Sequence, residues 1–573
     1  MENIQRRKAR IHSLCFSLNL HSTLRLPLRA ILLLCVCWPI TAGIAAAQSA
    51  APAQTEKSDN APSASQNNQR PRYYKGKSLG QNNSHIIRHD EDYSYLRTPA
   101  KAASVIDRLK YIPLNESGDA YLSLNGEVRY RFDYTENKNF RIAPSATVPT
   151  TPGAPLRLAS PRPPFDSALH KRRYALGADL HLGEHVRLYA DLWHAQQTGH
   201  GAGPVIPASQ RNNLEIINGF AEFMQTVGDA RTGIRVGRQA LFFGNSHNVA
   251  ANIATSLPDP VFNGVRTYAD WGSARVDAFA YNAYRYEKGY FAGSNNPDRN
   301  LWGVYSSIDL PAYSMLGEQV VSSLDAFYYG FRAVPGNNGP GTGLYNVEAL
   351  RVSPTVSATQ GFLASLDRRH TFGLRYYGGI GPVTYDWDAA IQRGSYGSFE
   401  VDAWAFNTDT AYTFTDLPWR PRIGTHIDGA SGGASRADRT LRTYQPLFPD
   451  TLYYLPNSFF SPTNFYDIAP RIRVTPAPGL SVDFYYAFLW RYTTGDAVYN
   501  GNWKGANGTN AYAVTALTPG HVIGRMPNLT ITWTPLRNII MRTTVARFLP
   551  GNALKAALAR DTTYVNAQMT LKF

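Results

Sequence analysis

From Tyr121 to Tyr134 the chain alternates without a break. Leu122, Leu124, Gly126, Val128, Tyr130, Phe132 and Tyr134 take the even positions, and Ser123, Asn125, Glu127, Arg129, Arg131 and Asp133 the odd ones. Successive side chains of a strand point to opposite faces, so this stretch predicts a strand with one apolar and one densely charged face. The pattern returns in Tyr174, Leu176, Ala178, Leu180 and Leu182 against Arg173, Asp179 and His181. After Gly183-Glu184-His185 it resumes in Val186, Leu188, Ala190 and Leu192 against Arg187 and Asp191. Marking every such segment predicts 18 strands, near 121–134, 171–182, 186–197, 214–226, 231–240, 262–270, 273–283, 300–308, 321–331, 368–378, 382–393, 399–414, 420–430, 466–475, 479–492, 520–534, 537–549 and 562–573.

The links alternate too. Short ones such as GEH, VGD, DWG and PAPG separate long ones such as 135–170, 332–367 and 431–465. Short periplasmic turns and long external loops are the habit of outer-membrane barrels, and an even strand count returns both ends to one side. The expected fold class is therefore all-β, an 18-stranded antiparallel transmembrane β-barrel of the outer-membrane type spanning residues 118–573.

Composition fits this picture. Aromatics make up 12% of the 573 residues, the chain is slightly polar on average, and no apolar run of about 18 residues follows Ile44, so no helical span is expected. Arg6, Arg7, Lys8, Arg10, Arg25 and Arg29 precede the apolar run ILLLCVCWPITAGIAAA, which predicts a signal peptide over 1–47. All three cysteines lie in it, leaving the exported chain without thiol or disulfide chemistry. Loss of six cations and one anion with this segment takes the net charge from +15 to +10. Residues 48–84 read as a disordered, low-complexity linker. Residues 85–117 read as an N-terminal segment that either lies in the periplasm or tucks against the barrel floor.

A barrel of 16 to 18 strands leaves an aqueous channel, so function should sit on its inward face. With the apolar set turned to lipid, the inward cations include Arg129, Arg131, Arg173, Arg187, Arg235, Arg266, Arg275, Arg375, Arg471, Arg473, Arg491 and Arg542. The inward acids include Glu127, Asp133, Asp179, Asp191, Asp277, Asp386, Asp388, Asp467 and Asp483. Lysine is nearly absent. A guanidinium presents a rigid fork of donors that matches a carboxylate, whereas an ammonium is a hydrated point charge. Rows of arginine can hand a carboxylate from site to site, while the acids keep each site weak enough to release it. The plainer reading is that the Arg–Asp pairs only brace a polar interior.

The segments DRLKYIPL (107–114) leading into YLSLNGEVRYRFDY, RRYALGADLHLGEHVRLYADL (172–192), IRVGRQALFFGN (234–245), FNGVRTYADWGSARVDAFAYN (262–282) and WGVYSSIDL (302–310) together resemble the alginate export family. The resemblance implies an 18-stranded porin that passes a polyanionic exopolysaccharide outward through an arginine-lined lumen narrowed by inward-folded loops. It carries a lumen anion contact over to Arg129, Arg131, Arg187, Arg235, Arg238 and Arg266, with Glu127, Asp133, Asp191 and Asp277 as supporting acids. Arg238 has lipid-facing parity, so this role requires a bulge at Gly237. The implied partners are an alginate-like acidic polysaccharide, outer-membrane lipid of a Gram-negative bacterium, periplasmic polysaccharide-secretion proteins, and the barrel-assembly machinery reading the terminal Phe573. Passive transport needs no cofactor, metal or catalytic residue.

Rival readings are an anion-selective porin for small carboxylates, a receptor that displays its loops, and an outer-membrane esterase or lipase. The last rests on Gly429-Ala430-Ser431-Gly432-Gly433 with His426 nearby, but a nucleophile elbow needs a strand-to-helix turn. His85 and His89 lack a HExxH partner and read as a solvated linker pair. Inward Tyr189, Trp193, Tyr281 and Tyr377 would suit a sugar path. Cations spread around an interior do not make a nucleic-acid patch.

Overall fold

The computed structural model describes residues 88–573 apart from 92, 98–104, 143–145, 148–156, 159–165, 202–205, 252–255, 335–365, 436–438, 451–458 and 500–518. All of these belong to the compact unit Arg70–Phe573; the expected signal peptide, the linker and His85 lie outside the described residues. Among those residues no helix is long and apolar enough to cross a membrane.

The alternating segments form 18 long strands. They are β1 (Ala120–Thr135), β2 (Ser167–Leu182), β3 (Val186–His200), β4 (Asn212–Val227), β5 (Ala230–Gln239), β6 (Phe262–Asp270), β7 (Ala274–Arg285), β8 (Ser294–Asp309) and β9 (Glu318–Ala333). The circuit continues with β10 (Asp367–Ile380), β11 (Val383–Tyr396), β12 (Phe399–Thr413), β13 (Arg422–Ala430), β14 (Phe465–Ala477), β15 (Leu480–Trp490), β16 (Val522–Leu536), β17 (Ile539–Pro550) and β18 (Thr562–Lys572). Each pairs antiparallel with the next, and β18 pairs back onto β1 from Glu127↔Lys572 to Thr135↔Tyr564, closing an 18-stranded antiparallel barrel. Closure removes the free edges that an open sheet would expose.

Parity is obeyed around the wall. On the outer face Val128, Leu176 and Leu374 are 42%, 55% and 57% exposed, whereas inward Arg129 and Asp277 are 4% and 0% exposed. This inversion of the soluble-protein rule is what a lipid-facing surface around a polar interior requires. Several strands run past the apolar band. β8 begins at Ser294 rather than near 300, because its first turns of pleat, SNNPDR, are polar and lie beyond the lipid-facing stretch. The long 309–320 link contains a short strand, Tyr313–Met315, folded back on the start of β9. β4 carries a bulge: the pairing with β3 steps from Ala190↔Gly219 to Leu192↔Ile216, which reverses the parity of β4 beyond it.

The last residue finishes the seam. Gly126 and Phe573 exchange two backbone hydrogen bonds of 3.0 and 3.1 Å, and the Phe573 ring lies over Gly126. A Cβ at position 126 would sit 2.1 Å from Cε1 of that ring, so only glycine leaves room for it.

Candidate functional site

Most of the inward arginines are engaged by carboxylates on the same or a neighbouring strand. On β1 and β2, Arg173 donates through Nε to Glu127 (2.8 Å), Arg131 to Asp133 (2.8 Å), and Lys171 reaches the other Asp133 oxygen at 3.0 Å. On β3, Arg187 forms a bidentate pair with Asp179 (2.8 and 2.7 Å) and also approaches Glu222 of β4 at 3.4 Å. Glu222 accepts from Arg235 as well (3.0 Å), whose guanidinium lies over the Phe220 ring. Asp277 holds both Arg266 (2.8 Å) and Arg275 (2.9 Å). Further round, Arg375 joins Asp386 (2.6 Å) to Asp325 (3.2 Å), and Asp483 takes Arg471 (2.6 Å) and Arg473 (2.7 Å). These are planar, charge-assisted contacts of the kind that favours arginine over lysine.

The register adds a second feature. Arg129 stands directly opposite Arg173, Arg131 opposite Lys171, Arg235 opposite Arg266, and Arg422 opposite Arg473. Like charges facing each other across a ladder repel unless an anion lies between them.

The family model described as alginate export matches residues 157–568. That span covers most of the barrel. The chain belongs to the alginate export family. Its closed barrel, apolar outside and charged inside, makes this family member an outer-membrane channel. No curated protein matches the chain. Among solved structures it is similar to Pseudomonas aeruginosa OpdG (10% identity, TM-score 0.47, covering 79% of this chain and 98% of that one). It is also similar to Acinetobacter baumannii OccAB1 (14%, 0.45, 82% and 99%).

In this alginate export family barrel several of the described segments outside the strands enter the interior, and three of them are built as follows. The first is N-terminal. Arg88 donates to the main-chain oxygens of Gly126 (2.8 Å) and Phe573 (3.1 Å). His89 is buried edge-on against Tyr189 and Phe220, two inward rings, and its carbonyl accepts from Arg187. The short helix α1 (Val105–Lys110) follows, with the Lys110 carbonyl accepting from Ser123 of β1 and its ammonium over the Tyr93 ring. These contacts hold the described part of the segment against β1, β3 and the β1–β18 seam. His89 is therefore not solvated, because a neutral imidazole is at home between two aromatic edges. Burial, together with the nearby Arg235 and Arg187, holds its pKa well below 6.5.

The second and third segments come from the opposite end. Phe243 stacks on Phe279 and Tyr305, Phe448 packs on Phe262 and Phe331, and Val249 bridges Phe448. The loops around 241–251 and 441–450 thus meet inside the barrel, where Asn245 and His247 bind Asp388 at 2.8 and 2.6 Å.

Two expected positions differ from the rest. The register runs through Gly237 without a shift, so no bulge re-aims Arg238. Its guanidinium bonds Glu215, Asn263 and the Ile216 carbonyl, with the Tyr284 ring 3.5 Å away. Asp191 takes its hydrogen bonds from Asn218 (2.8 and 2.7 Å) and Tyr189, which fixes the β4 bulge. Ser431 accepts from the Trp404 amide, while His426 is engaged by Asp467. Sequence parity missed Glu222, since the bulge moves it to the inward set, missed Lys171 within the charged run His170–Arg173, and missed Asp325 as an isolated charge among apolar neighbours.

Proposed function

We propose that this barrel lets an acidic, alginate-like polysaccharide pass outward through the outer membrane of a Gram-negative bacterium, passively and without chemistry. One observation carries the reading. The inward face of β1, β2 and the end of β18 gathers Arg129, Arg131, Lys171, Arg173 and Lys572 around two carboxylates, Glu127 and Asp133, an excess of three positive charges. An excess built from facing cations invites a further carboxylate, and the resident acids keep that carboxylate exchangeable. A uronate chain supplies one carboxylate per sugar, so it can step between such clusters. Arg187, Arg235 and Arg266 continue the path. The roles given to Phe573 in barrel assembly and to periplasmic secretion proteins in delivery belong to the same proposal.

The meeting of the 241–251 and 441–450 loops inside the barrel favours a second reading, a porin for small carboxylates, because it narrows the space a polymer must thread. Planar-bilayer recording separates the two. Polymannuronate is expected to block an anion-selective current more strongly than a neutral glycan or small dicarboxylates, and less strongly once Arg129 and Arg131 become alanine. Block by dicarboxylates alone would leave the small-solute porin.

A further inference from the structure

The wall between β11 and β14 inverts the chemistry of β1 and β2. In register Asp388 faces Asn407, Asn407 faces Asp428, and Asp428 faces Asp467. Asp428 and Asp467 are therefore like charges directly opposite each other, an arrangement that repels. Both are buried, at 1% and 0% exposure. One oxygen of each, Oδ2 of Asp428 and Oδ1 of Asp467, receives no hydrogen bond from the protein. A buried carboxylate oxygen without a donor is costly and calls for an explanation. Of the remaining two oxygens, Asp428 Oδ1 accepts a long bond from the Thr408 amide (3.3 Å) and Asp467 Oδ2 meets Nε2 of His426 at 2.9 Å. His426 precedes Asp428 by two residues on β13, so both project from the same face. Asp409, opposite His426, adds a further negative charge beside them.

We propose that His426, Asp428 and Asp467 hold a divalent transition-metal cation of the zinc or manganese class, which staples β13 to β14 on the inner wall. One ligand atom from each of the three lies within 4.8 Å of the other two. Zinc binds nitrogen and oxygen donors at about 2.0–2.2 Å, so the side chains must close by roughly an ångström around the ion. Two carboxylates neutralise the charge of the cation, and the ion satisfies the two oxygens that the protein leaves without donors. One imidazole with two carboxylates distinguishes this set from the all-oxygen shells of calcium and magnesium. On binding, Nε2 of His426 loses to solvent the proton it donates to Asp467 Oδ2 and turns the freed lone pair to the metal, with the ring's remaining proton on Nδ1. The 431–464 connection between β13 and β14, which carries the inward 441–450 stretch, would then spring from a pinned pair of strands. The alternative is a proton shared between Asp428 and Asp467.

The test uses the full chain in detergent, stripped with a chelator and titrated calorimetrically with ZnCl2, MnCl2 and CaCl2. Wild type is expected to take about one equivalent. Asp428→Asn and Asp467→Asn, which keep shape, should each bind at least tenfold more weakly while still migrating as folded barrels before heating. His426→Asp, an all-oxygen set, should shift preference from zinc toward calcium. If the variants do not fold, zinc X-ray absorption on wild type alone decides, with scattering from one imidazole expected. No stoichiometric binding by wild type, unchanged binding in both asparagine variants, or a zinc spectrum without imidazole would overturn the site, the first in favour of the shared proton.

Discussion

Docking of the N-terminal segment rests heavily on one side chain, so Arg88→Ala should release that segment without unfolding the barrel. Arg88 makes two charge-assisted hydrogen bonds, to Gly126 O and Phe573 O, and is itself buried. Such bonds contribute about 1.5–3 kcal/mol each. Both oxygens keep their cross-strand amide partners when the guanidinium is gone, so no orphan penalty is added to the barrel. The expected loss falls on docking alone, about 3 kcal/mol, or on the order of a 150-fold shift from docked toward undocked. Hydrogen exchange followed by mass spectrometry reads this directly, as faster exchange across 88–111 with the peptides of β1 to β18 unchanged. Protonation should push the same way. His89 is neutral when docked, its pKa lowered by burial and by Arg235 and Arg187. The undocked state binds the extra proton, so the His89 contribution to docking is fully present above about pH 6.5 and weakens by up to about 1.4 kcal/mol per unit below it. Lys110, lowered to about 8 by burial against the pull of Glu91, strengthens docking as pH rises from there toward 10.5. Unchanged exchange in Arg88→Ala, or equal loosening of the strands, would refute the argument.

Other perturbations follow from the same contacts. Glu222→Gln removes the carboxylate that pairs buried Arg235, while Arg187 keeps Asp179, so it should cost about 3 kcal/mol and lower the temperature at which the folded band is lost on heating before electrophoresis. Gly126→Val must displace the Phe573 ring, so assembly into vesicles should slow, and deleting Phe573 as well should add little. Asp496→Asn weakens an acceptor for the Gly433 amide (2.8 Å), the Thr443 hydroxyl (2.6 Å) and the Tyr499 hydroxyl (2.8 Å), and exchange around 431–443 should rise. Burial raises the Asp496 pKa above 3.8, so this loop contact should strengthen on mild acidification, opposite to the N-terminal segment; a matching pH response in both regions would contradict the assignment.

Strand parity was legible because lipid and a polar interior impose opposite demands on alternate residues. Arg129, Arg131, Arg187, Arg235 and Arg266 were placed on the inner face from that rule alone. What parity could not convey is pairing. Whether Arg235 meets Glu222 or Asp277 depends on register and on a bulge at the far end of β4, which no local pattern marks. Arg238 illustrates the converse, since the register does not shift at Gly237 and the guanidinium is instead held by Glu215 and Asn263. The loops were legible only as lengths. Nothing periodic in 241–251 or 441–450 signals that Phe243 and Phe448 fill the interior, because aromatics in a loop carry no face until a partner is known. His89 was misjudged for a similar reason, as its burial is provided by Tyr189 and Phe220, about a hundred residues away in sequence.

The two acceptors of Arg88 lie on opposite sides of the join between the first strand and the last. One belongs to β1, made early in synthesis, and the other is the final residue of the chain. The Arg88 socket is therefore whole only on a barrel whose circuit is complete. A chain that stops short, or that closes one residue out of step, offers half of the socket. One guanidinium thus joins the two strands that close the circuit, and it does so from a third part of the chain.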